Sequence, residues 1–160
     1  MSSPVEVRVT RRLAASPERA FDAWLDPAWI GQWMFGGRLR DEEVIAIVTD
    51  PRVGGRFSFK VRRGGAEIDH VGEYLAIDRP NRLAFTWGIA GESDGESRVT
   101  VDFAADGAGC LLTLTHALDA KWADYADRVR EGWTKMTAAL DDALGGYGWS
   151  EEPGTLRFER

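Results

Sequence analysis

The sequence predicts an α+β fold, an antiparallel curved sheet of six to seven strands wrapped around one long C-terminal helix. Two short helices follow the first strand. Three observations predict it. Between Asp119 and Gly146 the apolar residues Trp122, Ala126, Val129, Trp133, Met136, Leu140 and Leu144 recur at gaps of three and four, one face of a helix. From residue 43 to Ala117, short stretches alternate apolar with polar and are separated by glycine- and proline-bearing turns. Strong helix-start signals stand before that run, at Ser16-Pro17 and Asp26-Pro27. Strands in series flanked by helices indicate an α+β meander with one face covered.

The elements follow in order. Val5, Val7 and Val9 alternate with Glu6, Arg8 and Thr10 in a half-buried first strand. Ser16-Pro17 opens a helix carrying Phe21 and Trp24, and Asp26-Pro27 opens a second with Trp29, Ile30 and Trp33. Strands are then expected at residues 43–49, 56–61 and 67–77. Next come a strand with Leu83, Phe85 and Trp87, one with Val99, Val101 and Phe103, and one at 110–116. The last helix has Asp119 as its N-cap and Gly145-Gly146 as its stop, a span of roughly 35–40 Å. Gly132 interrupts it on the inner side. Its missing side chain either lets the helix press against the sheet, the plainer reading, or leaves room for a bound molecule. Residues 1–147 read as one domain and 148–160 as a tail that folds over the pocket, adds an edge strand to a partner, or hangs loose.

The 160 residues carry a net charge of −6, which argues against nucleic acid and against an anionic membrane surface. No stretch approaches the ~18 apolar residues of a membrane span, and no leader is apparent. Cys110 stands alone, so the chain can form no internal disulfide and offers no cysteine zinc spacing. A cytoplasmic protein is expected. Seven Trp and seven Phe exceed what a core of this size requires, and large aromatics also line pockets.

Together these residues resemble a known family. Ser16-Pro17 with Phe21 and Trp24 and Asp26-Pro27 with Trp33 start the pattern. Val53-Gly54-Gly55-Arg56-Phe57, Gly72-Glu73-Tyr74, Pro80, Leu83 and Phe85-Thr86-Trp87 continue it, and Leu112, Leu114, His116 and Gly132-Trp133 close it. In order and spacing they resemble the helix-grip START/SRPBCC superfamily (the fold of the major birch pollen allergen). Within it they resemble the group named after the activator of the heat-shock protein 90 ATPase. The resemblance implies a pocket for a small hydrophobic ligand between sheet and helix. It also implies a chaperone as a partner and a link to the stress response. The co-chaperones that give the group its name carry an additional N-terminal domain, which this sequence is expected to lack.

Candidate chemistry is sparse. His116 shares its alternation with Leu112 and Leu114 and should point inward, where a histidine serves either as a general base or as a hydrogen-bonded core residue. Glu73 falls in register with Val71, Leu75 and Ile77 if its strand is regular, and His70 with Tyr74, so the inward set is undecided. A desolvated Glu73 would have a raised pKa suited to proton transfer; a bulge near Gly72 would turn it to solvent. Two histidines supply no metal site, and Ser58, Ser93 and Ser97 sit in no nucleophile elbow. No cofactor motif occurs.

The expectation is therefore a binding protein. Its lining is assigned to Trp33, Phe57, Phe59, Phe85, Trp87, His116, Trp133 and Met136, with Tyr74, Thr86, Arg98 and His116 as polar groups at the mouth. Two alternatives stand beside it: a cyclase- or hydrolase-type enzyme using His116 or Glu73, and a co-chaperone-like interaction module. Both a monomer and a homodimer remain open.

Overall fold

A computed structural model describes residues 5–36, 39–92 and 96–145. The expected tail and the Gly146 helix stop lie outside the described residues. Seven strands form one antiparallel sheet: β1 (Val5–Leu13), β2 (Glu42–Thr49), β3 (Arg56–Arg63), β4 (Ala66–Asp78), β5 (Arg82–Ile89), β6 (Ser97–Asp106) and β7 (Gly109–Leu118). Their order across the sheet is β1-β7-β6-β5-β4-β3-β2, so the first strand returns to pair with the last. α1 (Pro17–Asp22) and α2 (Pro27–Trp33) follow β1, and α3 (Ala126–Ala143) ends the fold.

The two short helices start where the sequence places them. Ser16 Oγ accepts from the Arg19 N–H and the Asp26 carboxylate from the Ala28 N–H, each followed by proline at the first helical position. Trp33 Nε1 donates to Ala23 O at 3.0 Å, which folds α2 back onto the end of α1. The loop after α2 is tied down by Glu42, whose side chain is fully buried. It accepts from the Gly36 N–H at 2.8 Å and from the guanidiniums of Arg40 and Arg63.

The long helix differs from expectation. Asp119 does cap it, accepting from the Lys121 N–H at 3.0 Å, but what it caps is a six-residue 3-10 helix, Ala120–Tyr125. Only then does α3 begin, 18 residues or about 27 Å long. Gly132 is also corrected. A Cβ added there meets no atom within 4 Å, so close packing against the sheet is not what the glycine provides. The buried stripe of α3 is Trp133, Thr137, Leu140 and Ala143, and Arg11 of β1 fastens it by donating to Thr137 Oγ1 and Thr134 O.

Strand β4 settles the open register. His70, Gly72 and Tyr74 face inward, and Val71 and Glu73 face out. Gly72 fixes this choice, because a Cβ on it would collide with Thr86 O and lie 2.5 Å from Phe57 Cζ. A bulge between Tyr74 and Ala76 then shifts the register against β5. The concave face is filled with rings rather than hollow. Phe57 stacks on Phe59 at 4.6 Å, Trp24 lies 6.0 Å from Trp133, and Trp87 lies 5.5 Å from Trp133.

The two glycines should therefore respond oppositely to alanine. Gly132→Ala should raise stability by about 1 kcal/mol through helix propensity, whereas Gly72→Ala should lose several kcal/mol or fail to fold. Urea unfolding of both variants checks the pair, and a destabilised Gly132→Ala would refute the assignment.

Candidate binding groove at the end of the sheet

A groove of about 610 Å³ lies where the ends of β5, β6 and β7 meet the 3-10 helix and the first turn of α3. Its floor is built by strand alternation: Trp87 and Ile89 from β5, Ser97 from β6, and His116 and Leu118 from β7. Its wall is Trp122, Tyr125, Arg128 and Val129. In a 3-10 helix residues three apart eclipse one another, so Trp122 and Tyr125 stand side by side, ring centres 5.3 Å apart. Lys121 lies over the Trp122 ring and Arg128 over Tyr125, each 5.7 Å from the centroid.

The floor is held by a directional chain of hydrogen bonds. Trp133 Nε1 donates to His116 Nδ1 at 3.0 Å. An indole N–H can only donate, so Nδ1 must be unprotonated and Nε2 carries the proton. Nε2–H then donates to Ser97 Oγ at 2.6 Å, and the Ser97 hydroxyl donates onward to Trp87 O at 3.0 Å. Burial drives the His116 pKa down to about 4, so the ring is neutral at physiological pH. In a serine nucleophile the histidine must accept the hydroxyl proton, with Nδ1–H donating to a carboxylate behind it. Here both bonds run the other way. His116 orients Ser97 without activating it.

Glu73 is no better placed for proton transfer. It faces outward with its side chain 44% exposed, 4.0 Å from Arg56, and its backbone N–H donates to Thr86 Oγ1. Thr86 donates in turn to Glu96 Oε1 at 2.5 Å, and Arg56 reaches Glu96 Oε2 at 2.7 Å. Partial burial raises the Glu96 pKa, but these two hydrogen bonds and the Arg56 charge outweigh it and hold it below the usual range. His70 is buried beneath Phe35, donates Nδ1–H to Phe59 O at 3.0 Å, and has a pKa lowered mainly by burial. Among the described residues no group of three or more His, Cys, Asp or Glu side chains is arranged to hold a metal, and no helix is long and apolar enough to cross a membrane.

Of the residues expected to line a site, the groove gathers Trp87, Arg98 and His116. Phe57, Phe59, Tyr74 and Phe85 instead enclose, with Trp24 and Met34, a second space of about 10 Å³ deep in the core. Trp33 and Trp133 are core residues and Met136 packs against the core half-buried; none lines either space. Thr86 is spent on the Glu73–Glu96 network. Sequence reasoning did not assign Ile89, Ser97, Leu118, Trp122, Tyr125, Arg128 or Val129 to the site. Ser97 sits one alternation before Val99 and so was findable; Tyr125 becomes a wall residue only through the 3-10 turn.

A seven-stranded sheet closed over a C-terminal helix, with two capped helices after its first strand, defines a START-like helix-grip protein. The family described as Activator of Hsp90 ATPase homolog 1-like protein matches residues 14–145, and the chain belongs to that family. Solved structures with the same fold include protein CV1439 from Chromobacterium violaceum, at 22% identity and a TM-score of 0.74, covering 87% of this chain and 96% of that one. The AHSA1-like protein from Aeromonas hydrophila is similar at 22% identity and a TM-score of 0.73, covering 89% and 93%. Protein NE0264 from Nitrosomonas europaea is 16% identical with a TM-score of 0.76, covering 89% and 95%. At these identities the likeness concerns the fold alone. No curated protein matches by sequence.

The wiring of His116 has a pH signature. Its folded pKa of about 4 lies below the unfolded value near 6.5, so protonation favours the unfolded chain. Its contribution is complete above pH 6.5 and is lost as pH falls toward 4, on the order of 3 kcal/mol at the end. Urea midpoints between pH 7.5 and 4.5 should fall more steeply for the native protein than for His116→Gln. Parallel slopes would show that His116 is not buried neutral.

Proposed function

We propose that the chain binds a small hydrophobic molecule in the groove between the end of the sheet and the start of the C-terminal helix. The observation that carries this is the groove itself. Its volume of about 610 Å³ falls in the range of small-molecule sites, and Trp87, Trp122 and Tyr125 give it aromatic walls. The ligand's apolar body packs between the floor at Trp87 and the wall at Trp122 and Tyr125, and any polar end lies at Arg98 or Arg128. A cytoplasmic protein made of one helix-grip domain over residues 1–147 fits this reading.

The enzymatic alternative has less support, because His116 and Ser97 are wired against nucleophile activation and Glu73 is solvated and paired. The interaction-module alternative has one observation in its favour. Val48 of the edge strand β2 and Val53 in the turn that follows it are 56% and 61% exposed, and an apolar surface of this kind suits a protein partner such as a chaperone.

Native mass spectrometry of the protein purified from its own host tests the preferred reading. The expected result is a retained apolar molecule, lost or at least tenfold weakened in Trp122→Ala and Tyr125→Ala while folding is kept. A ligand at a hundredfold its Kd should add about 2.7 kcal/mol to stability. An empty protein that gains no stability from a panel of lipids and aromatic compounds would remove the groove from consideration.

A further inference from the structure

The small space in the core has an unusual chemistry. It is lined by Trp24 in the turn between α1 and α2, Met34 at the end of α2, Phe57 and Phe59 of β3, Tyr74 of β4 and Phe85 of β5. Trp24 and Tyr74 are each 2% exposed. Trp24 Nε1 and Tyr74 Oη are buried atoms without a hydrogen-bond partner, and both residues border this one space. Buried polar groups in folded proteins are almost always satisfied, and each orphan carries a desolvation cost. Two at one void call for an occupant.

The donors dictate what the occupant is. An indole N–H only donates, and Tyr74 is kept protonated because burial, with the Asp50 charge adding to it, pushes its pKa up. Every other lining group is a phenyl ring or the Met34 thioether. A volume of about 10 Å³ accommodates one oxygen atom.

We propose that this space is an acceptor site: it holds one oxygen that takes hydrogen bonds from both Trp24 Nε1–H and Tyr74 Oη–H. The oxygen is that of a single buried water, the one occupant a space of about 10 Å³ admits. The site is independent of the groove. Trp87 lies between the two, lining the groove while its ring packs 6.0 Å from Phe57 and 6.3 Å from Phe59.

Tyr74→Phe gives a test of sign. If the hydroxyl donates to an oxygen, its removal lowers Tm by about 2–4 °C. If the hydroxyl is truly alone, its removal leaves Tm unchanged or raises it. The indole resonance of Trp24, assigned by its through-space contacts to Tyr74 and Met34, reads the occupant directly. A long-lived contact between Trp24 Hε1 and water is expected in the native protein. A Tyr74→Phe protein at least as stable as the native one, with no such contact at Trp24 Hε1 in the native protein, overturns the proposal.

Discussion

The structure turns on one hydrogen bond, from the indole of Trp133 to Nδ1 of His116. It joins the inner face of α3 to the last strand at the centre of the aromatic core. Because the indole can only donate, it selects the histidine tautomer, and the tautomer fixes the direction of the bonds through Ser97 to the carbonyl of Trp87. A single donor on the helix thereby pins the ends of β5, β6 and β7. Leaving any of these buried groups unpaired would cost far more than the roughly 1 kcal/mol a made bond returns. That asymmetry keeps the floor of the groove in one arrangement.

The aromatic core explains where the free space lies. Trp24, Trp33, Trp87, Trp133 and the phenylalanines of β3 and β5 interlock in edge and tilted contacts under the helix. So many rings consume the volume a helix-grip sheet would otherwise enclose. The sheet can close around them because Gly72 lets the Phe57 ring lie against the backbone and because the bulge in β4 bends the strand. What room is left appears beyond the rings, where the strands run out and the chain turns into a 3-10 helix.

Most of the architecture was legible in the sequence. Period-two alternation locates β1, β3, β5, β6 and β7, and the two Ser/Asp-Pro signals locate α1 and α2. The junction at residue 126 was not. Trp122, Ala126 and Val129 keep helical spacing straight through it, so the apolar stripe gives no sign that the winding tightens over Ala120–Tyr125. The register of β4 was ambiguous for a different reason: Val71, Leu75 and Ile77 suit a core as well as His70 and Tyr74 do. Gly72 decided it by steric fit with Phe57, which no periodicity encodes. For the groove, Trp87, Arg98 and His116 came from the sequence. Trp122, Tyr125, Arg128 and the hydrogen-bond directions required coordinates, since the 3-10 winding and the polarity along a chain of donors are properties of geometry.

Those directions also bear on chemistry against binding. A catalytic centre needs a group whose proton is poised to move near neutral pH. The titratable groups beside the groove are arranged to prevent that: His116 is held neutral by burial with its free lone pair already taken, and the exposed Glu96 is held ionised by Thr86 and Arg56. Each has its hydrogen bonds filled from within the protein, so neither offers an arriving molecule an unsatisfied donor or acceptor. At these two positions the groove presents contact area rather than hydrogen-bond exchange. The unsatisfied donors lie instead in the core, at Trp24 and Tyr74, behind the layer that carries Trp87. The fold thus separates a groove whose floor is already hydrogen-bonded from a polar demand buried beneath it, and a molecule recognised at one need not be recognised at the other.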